Sequence, residues 1–177
     1  MRRILSLFLC IAVLFCVSPA LADDSAAHHT AVLAMLDANN YRYTLAEGDN
    51  GVNAEFTISS KMEDVNVWIF SHDLCIRYYS DFNQEVPAAY RDEISRLLTL
   101  INKDIDRGLF YMDYETGLIG HRLDVYLYGV TPSQHLLEQA LYVTVNRAER
   151  YGDLILSVMD GSSTAQAAFA AYKAAQE

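Results

Sequence analysis

Apolar residues change their spacing several times along this chain, and each change marks an element. Val32, Leu33, Met35 and Leu36 recur at helical spacing and stop at Asn39-Asn40, which predicts a short helix preceded by a frayed, polar stretch over residues 23 to 29. Alternation then takes over. Tyr41 to Leu45 and Ala54 to Ile58 flank the turn signal Asp49-Asn50-Gly51, a hairpin pattern. Val65 to Phe70 and Leu74 to Tyr79 are rich in β-branched and aromatic residues and are separated by Ser71-His72-Asp73, so they read as two neighbouring strands.

A helical period returns after Pro87. Tyr90, Ile94, Leu97, Leu98, Ile101 and Ile105 step by three and four, while Arg91, Asp92, Glu93, Arg96 and Lys103 take the other faces. Asp92 and Arg96 stand one turn apart as a candidate pair. Gly108 closes that helix. Leu109 to Tyr114 reads as a strand, Glu115-Thr116-Gly117 as a three-residue hairpin loop with glycine at positive φ, and Leu118 to Tyr128 as the return strand. Thr131-Pro132-Ser133-Gln134 predicts a helix start with Thr131 as cap and Gln134 completing a capping box. Leu137, Ala140, Leu141, Thr144, Ala148 and Tyr151 continue that helix, which extends through Val158. Past Asp160-Gly161, an alanine-rich helix over residues 163 to 176 carries Ala165, Ala168, Phe169 and Tyr172 on one side.

Hairpin-linked strands separated by amphipathic helices predict an α+β fold: an antiparallel β-sheet with helices packed on one face, plus an extra C-terminal helix. The organisation expected is a leader over residues 1–22, an α+β domain over 23–161 and the alanine-rich helix over 162–177.

The leader is read from three features in order. Arg2 and Arg3 supply charge, Ile4 to Val17 an apolar stretch, and Ser18-Pro19-Ala20-Leu21-Ala22 a helix break followed by small residues. That is the pattern of a secretory signal peptide cleaved after Ala22, which leaves no stable membrane anchor and predicts a periplasmic or extracellular location. Neither Cys10 nor Cys16 has the surroundings of a lipoprotein cysteine, so both are expected to leave with the leader.

Cleavage changes the charge and redox picture. Of 177 residues 155 remain, enough for one domain with a sizeable core. Loss of Arg2 and Arg3 from 13 basic residues leaves 11 against 23 acids, a formal charge of −12. Phosphate backbones are repelled by such a chain, so nucleic acid is excluded as a partner class. Cys75 alone is left, with no disulfide partner, and between Leu74 and Ile76 it reads as a small core residue. Strand alternation puts Cys75 and His72 on opposite faces, which argues against a Cys-His dyad.

Catalytic patterns are missing. The sequence contains no G-x-S-x-G elbow, P-loop, H-E-x-x-H helix, C-x-x-C pair or G-x-G-x-x-G turn, and it implies no catalytic residue, cofactor or metal. His28-His29 read as solvated, and His72, His121 and His135 as surface or hydrogen-bonded residues on separate elements. Asp104 with Asp106, and Asp113 with Glu115, mark a helix end and a turn. Trp68 with Phe70, and Tyr78 with Tyr79, read first as core under the helices and second as an aromatic strand face that receives a peptide. Phe169 and Tyr172 lie on a helix that could pack on a partner or on its own domain. Trp68, Phe70, Phe169 and Tyr172 are therefore the candidate partner-binding residues. An alternative reading, a small hydrolase-type envelope enzyme, rests on His121 and Arg122 with nearby acids.

Three segments carry a family resemblance: Leu97-Leu98-Thr99-Leu100-Ile101-Asn102, Gly108-Leu109-Phe110-Tyr111-Met112-Asp113, and Gly117-Leu118-Ile119-Gly120-His121-Arg122. Together with the order of elements they resemble the YbjN-domain family, whose fold is similar to that of type III secretion chaperones. The resemblance implies a sensory-regulatory or chaperone-like binding role without a reaction, with a protein or peptide as partner and a homodimer left open.

Overall fold

In a computed structural model, residues 24–46 and 50–176 are described. The signal-peptide reading and its Ala22 cleavage site fall outside them, as does Asp49 of the predicted turn. The elements are α1 (Asp24–Ala38), β1 (Thr44–Leu45), β2 (Gly51–Thr57), β3 (Asp64–Ser71), β4 (Cys75–Glu85), a 3-10 turn (Ala88–Tyr90), α2 (Arg91–Asp104), β5 (Leu109–Met112), β6 (Leu118–Tyr126), α3 (Gln134–Met159) and α4 (Ala165–Ala174). The strands form a six-stranded sheet in the order β1-β2-β3-β4-β6-β5. Every pairing is antiparallel.

The predicted α+β layer is the observed one. One sheet face carries Val52, Val67, Ile69, Ile76, Tyr78 and Leu123, packed with Val32, Met35 and Leu36 of α1 and Leu137, Ala140 and Leu141 of α3. Farther along the same face, Val65, Phe82, Phe110 and Ile119 meet Ile94, Leu97, Leu98 and Ile101 of α2 and the second half of α3. The helices thus cover one face in two adjoining clusters, each burying the stripe its period foretold.

Some boundaries differ from the pattern. The first helix begins at Asp24 because its lead is tied down: His28 is buried with Nδ1 2.9 Å from the His72 carbonyl oxygen, and Asn50 donates to Ser25 Oγ at 2.8 Å. His28 is therefore not solvated. The helix ends at Ala38 and the chain turns away at Asn40, at φ 56°, with Tyr41 N donating to Leu36 O. Strand β4 runs six residues beyond Tyr79 despite the polar run Asp81, Asn83, Gln84 and Glu85, because β6 pairs along it through a register shift between Asp81 and Glu85. Ser133, not Thr131, caps α3, its side chain accepting from Leu136 N. Arg96 pairs with Glu93 at 2.8 Å, not with Asp92, which instead accepts from Tyr114 Oη.

Two polar clamps hold the β5-β6 hairpin to α2. Arg91 donates to the carbonyls of Val86, Tyr114, Glu115 and Thr116, gathering the loop that Gly117, at φ 84°, turns back. Asn102 accepts from Phe110 N at 2.7 Å and donates to Phe110 O at 2.9 Å, and so pairs an edge-strand residue as another strand would. The asparagine of the first family segment thereby fixes the second.

Of the two readings for the C-terminal helix, packing on its own domain is what occurs. Ala165 and Ala168 of α4 are buried, Phe169 and Tyr172 pack against the α2-α3 core, Arg150 donates to Tyr172 Oη, and Lys173 meets Asp104 at 2.7 Å.

Candidate functional site

Strand alternation sends every second residue to the face that no helix covers. On β3 these are Asn66, Trp68 and Phe70; on β4, Arg77, Tyr79 and Asp81; on β6, Gly120, Arg122 and Asp124. Their registers align in rows: Asn53, Trp68, Tyr79 and Arg122 in one, and Asn66, Asp81, Gly120 and Tyr111 in the next. Trp68, Phe70 and Tyr79 therefore do not lie under the helices, and of the four aromatics considered at the strands only Tyr78 is core. The apolar face beneath the helices is filled by the β-branched residues between them.

Trp68, Phe70, Tyr79, Asp81 and Tyr111 line a shallow cup of about 380 Å³ on this open face. Its rings are ordered by one another. Trp68 stacks beside Phe70 at 6.2 Å between centroids, Phe70 meets Tyr79 edge-on at 6.1 Å, and Tyr79 meets Tyr111 edge-on at 6.1 Å. Such edge-to-face contacts fix ring orientation, so the walls are preformed.

Gly120 makes the cup possible. A Cβ there would fall 2.8 Å from the Tyr111 hydroxyl and 2.4 Å from Ser80 O, so only glycine lets the phenol lie across β6. Through that gap Tyr111 Oη donates to Asp81 Oδ1 at 3.2 Å. Burial pushes the Asp81 carboxyl above its ordinary value, against hydrogen bonds from Tyr111 and Trp68 that favour its ionised form. Burial likewise raises the Tyr111 phenol, with the Asp81 charge adding to it. At the other end Gly51, opposite Phe70, leaves room for that ring.

Beside the cup sits a charged triad. Arg77 Nε and Arg122 Nη2 each reach Asp124 at 2.6 Å. Burial alone would raise the Asp124 carboxyl, but the hydrogen bonds from Arg122 and Arg77 outweigh it and hold it below the ordinary carboxylate range. Cys75, two residues before Arg77 on the same side, is buried, and that burial raises its thiol above the ordinary value.

The enzymatic alternative loses its geometry. His121 and Arg122 are adjacent on β6 and point to opposite faces: His121 is 0% exposed, edge-on to Phe110 at 5.1 Å, while Arg122 belongs to the triad. Burial, with Arg147 nearby, lowers the His121 pKa to about 4 although the Arg107 backbone favours the charged ring. It is a neutral core residue. Among the described residues no group of three or more His, Cys, Asp and Glu is placed to hold a metal, and no helix is long and apolar enough to cross a membrane.

A second hollow of about 550 Å³ lies between α2 and α4, lined by Glu93, Arg96, Thr99, Leu100, Thr164, Ala165 and Gln166. Its strongest polar groups are already engaged: Glu93 takes Arg96 and the backbone N of Ala165, the first residue of α4. The cup therefore brings together Trp68 and Phe70 but not Phe169 and Tyr172, which are held on the helical side. Tyr79, weighed from sequence as part of an aromatic strand face but not carried into the candidate set, joins the site, as do Asp81, Tyr111 and Gly120, which were not read as site residues; period-two counting through residues 77, 79 and 81 was the available signal.

A single antiparallel sheet thus carries helices on one face and a preformed aromatic cup on the other. The chain belongs to the YbjN family, described as "Putative bacterial sensory transduction regulator", whose model matches residues 28–157. No curated protein matches it.

Proposed function

We propose that this chain is a non-enzymatic regulatory module that binds a protein or peptide partner on the open face of its sheet, and that it does so outside the cytoplasm after removal of residues 1–22. The observation that carries the reading is the uncovered aromatic cluster of Trp68, Phe70, Tyr79 and Tyr111. Large rings held rigid at a surface supply contact area at little cost in side-chain entropy, which is why aromatic residues anchor interfaces. The family description supports a regulatory role. The N-terminal pattern of Arg2-Arg3, apolar stretch and Ala20-Leu21-Ala22 supports export.

Partner capture from envelope extracts with the mature chain tests this, followed by size measurement of the complexes. A Trp68→Ala/Phe70→Ala variant with an unchanged far-ultraviolet spectrum is expected to lose the captured partners. Retention of the same partners by that variant, or a strict monomer that holds none in the unaltered chain, overturns the proposal. A doubled mass without other components identifies the partner as a second copy.

A further inference from the structure

Asp81 and Asp124 share the open face but differ in their company. Asp124 holds two arginines, whereas among the described residues no Lys, Arg or His forms an ion pair with Asp81. Asp81 has hydrogen bonds from two neutral groups instead, the Tyr111 hydroxyl and the Trp68 side chain, and sits among ring faces of the cup. A half-buried carboxylate is costly unless a cation meets it. The faces of Trp, Tyr and Phe rings are themselves negative and attract cations. Carboxylate and rings therefore select the same sign of charge, and the chain's formal net charge of −10 adds to that attraction at longer range.

We propose that the cup receives an arginine or lysine side chain presented by the partner, with its charged head against Asp81 and its stem along Trp68, Phe70 and Tyr79. The inference rests on the open face being the partner surface and names what enters it. The cup's form favours a tethered cation over a free small one. Its five lining residues all come from strands, none forms a roof, and a free ligand of that size normally needs enclosure on most sides. A peptide lying on the sheet supplies the missing cover.

Trp68 is the chain's only tryptophan, so its emission reports directly on the cup. The probe is an acetylated, amidated Gly-Gly-Arg-Gly-Gly peptide titrated against the mature chain, with a matched citrulline peptide, which keeps the shape and removes the charge. The Trp68 signal is expected to saturate with the arginine peptide, and affinity to fall about tenfold with citrulline or with Asp81→Asn. Glu55→Gln, on the same face outside the cup, is expected to stay within about twofold, since an exposed charge contributes little. Free arginine amide saturating as tightly as the peptide would mean a small-molecule site and overturn the tethered occupant. An unchanged Trp68 signal, or equal binding by Asp81→Asn, overturns the cation assignment. If that occurs while Trp68→Ala/Phe70→Ala still abolishes partner capture, the partner face stands and only its occupant is wrong.

Discussion

Tyr111 reaches Asp81 across an entire intervening strand, its hydroxyl donating at 3.2 Å over Gly120. Filling that gap should break the contact. Gly120→Ala places a methyl group 2.8 Å from the Tyr111 hydroxyl and 2.4 Å from the Ser80 carbonyl oxygen. Overpacking of this kind costs about 1–3 kcal/mol. Urea unfolding is expected to show that loss, with a shift in native Trp68 emission as Tyr111 is displaced. Unchanged stability and emission would contradict the packing described.

Tyr111→Phe isolates the hydrogen bond from the ring. The hydroxyl favours ionised Asp81, so its removal leaves burial less opposed, and the Asp81 carboxyl should titrate at higher pH in the variant. Carbon-detected NMR titration of the Asp81 carboxyl gives the comparison. A shift to lower pH would mean that Tyr111 does not donate to Asp81.

His121 predicts a pH dependence of stability. Its folded pKa is about 4 against 6.5 for a free ring, so the unfolded chain binds the proton more readily between those values. Stability should therefore be full above pH 6.5 and fall as pH drops toward 4, by about 3 kcal/mol at most for a shift of this size. His121→Phe, which keeps an aromatic ring beside Phe110, should remove this component. Denaturation curves at a series of pH values test it; identical pH profiles for the two proteins would refute the buried neutral ring.

Asn102→Ala strips both partners from Phe110 on the edge strand β5. A cost of about 1–3 kcal/mol is expected for the pair of lost bonds. Amide exchange at Phe110 should accelerate in the variant. Unaltered protection there would show that the asparagine clamp contributes nothing to the strand.

The layer order was legible because each element repeats one period long enough to read. The helical stripe from Ile94 to Ile101 buries at the residues its spacing selects, and Gly117 turns the hairpin with positive φ. The face assignment was not legible. Strand β3 is apolar on both sides, Val65, Val67 and Ile69 against Trp68 and Phe70, so alternation gives two candidate core faces and no ground for choosing between them. Only the cross-strand register, which sets Asp81, Gly120 and Tyr111 in a row, shows which face carries the polar partners. The extension of β4 past Tyr79 stayed hidden for a related reason. Asp81, Asn83 and Glu85 look like loop, yet Ser80 before them and Phe82 among them are buried. Phe169 and Tyr172 show the converse: an apolar helix side states that something covers it, and here that something is its own domain.

Site-specific photo-crosslinking in cells tests the central claim most directly, that the partner lies on the open sheet face and not on the helical side. A photoreactive phenylalanine analogue replaces Tyr79 in the cup or, as the comparison, Gln166 in the α2-α4 hollow. Covalent adducts to a partner protein are predicted from position 79 and not from position 166. Adducts from position 166 with none from position 79 would contradict the account.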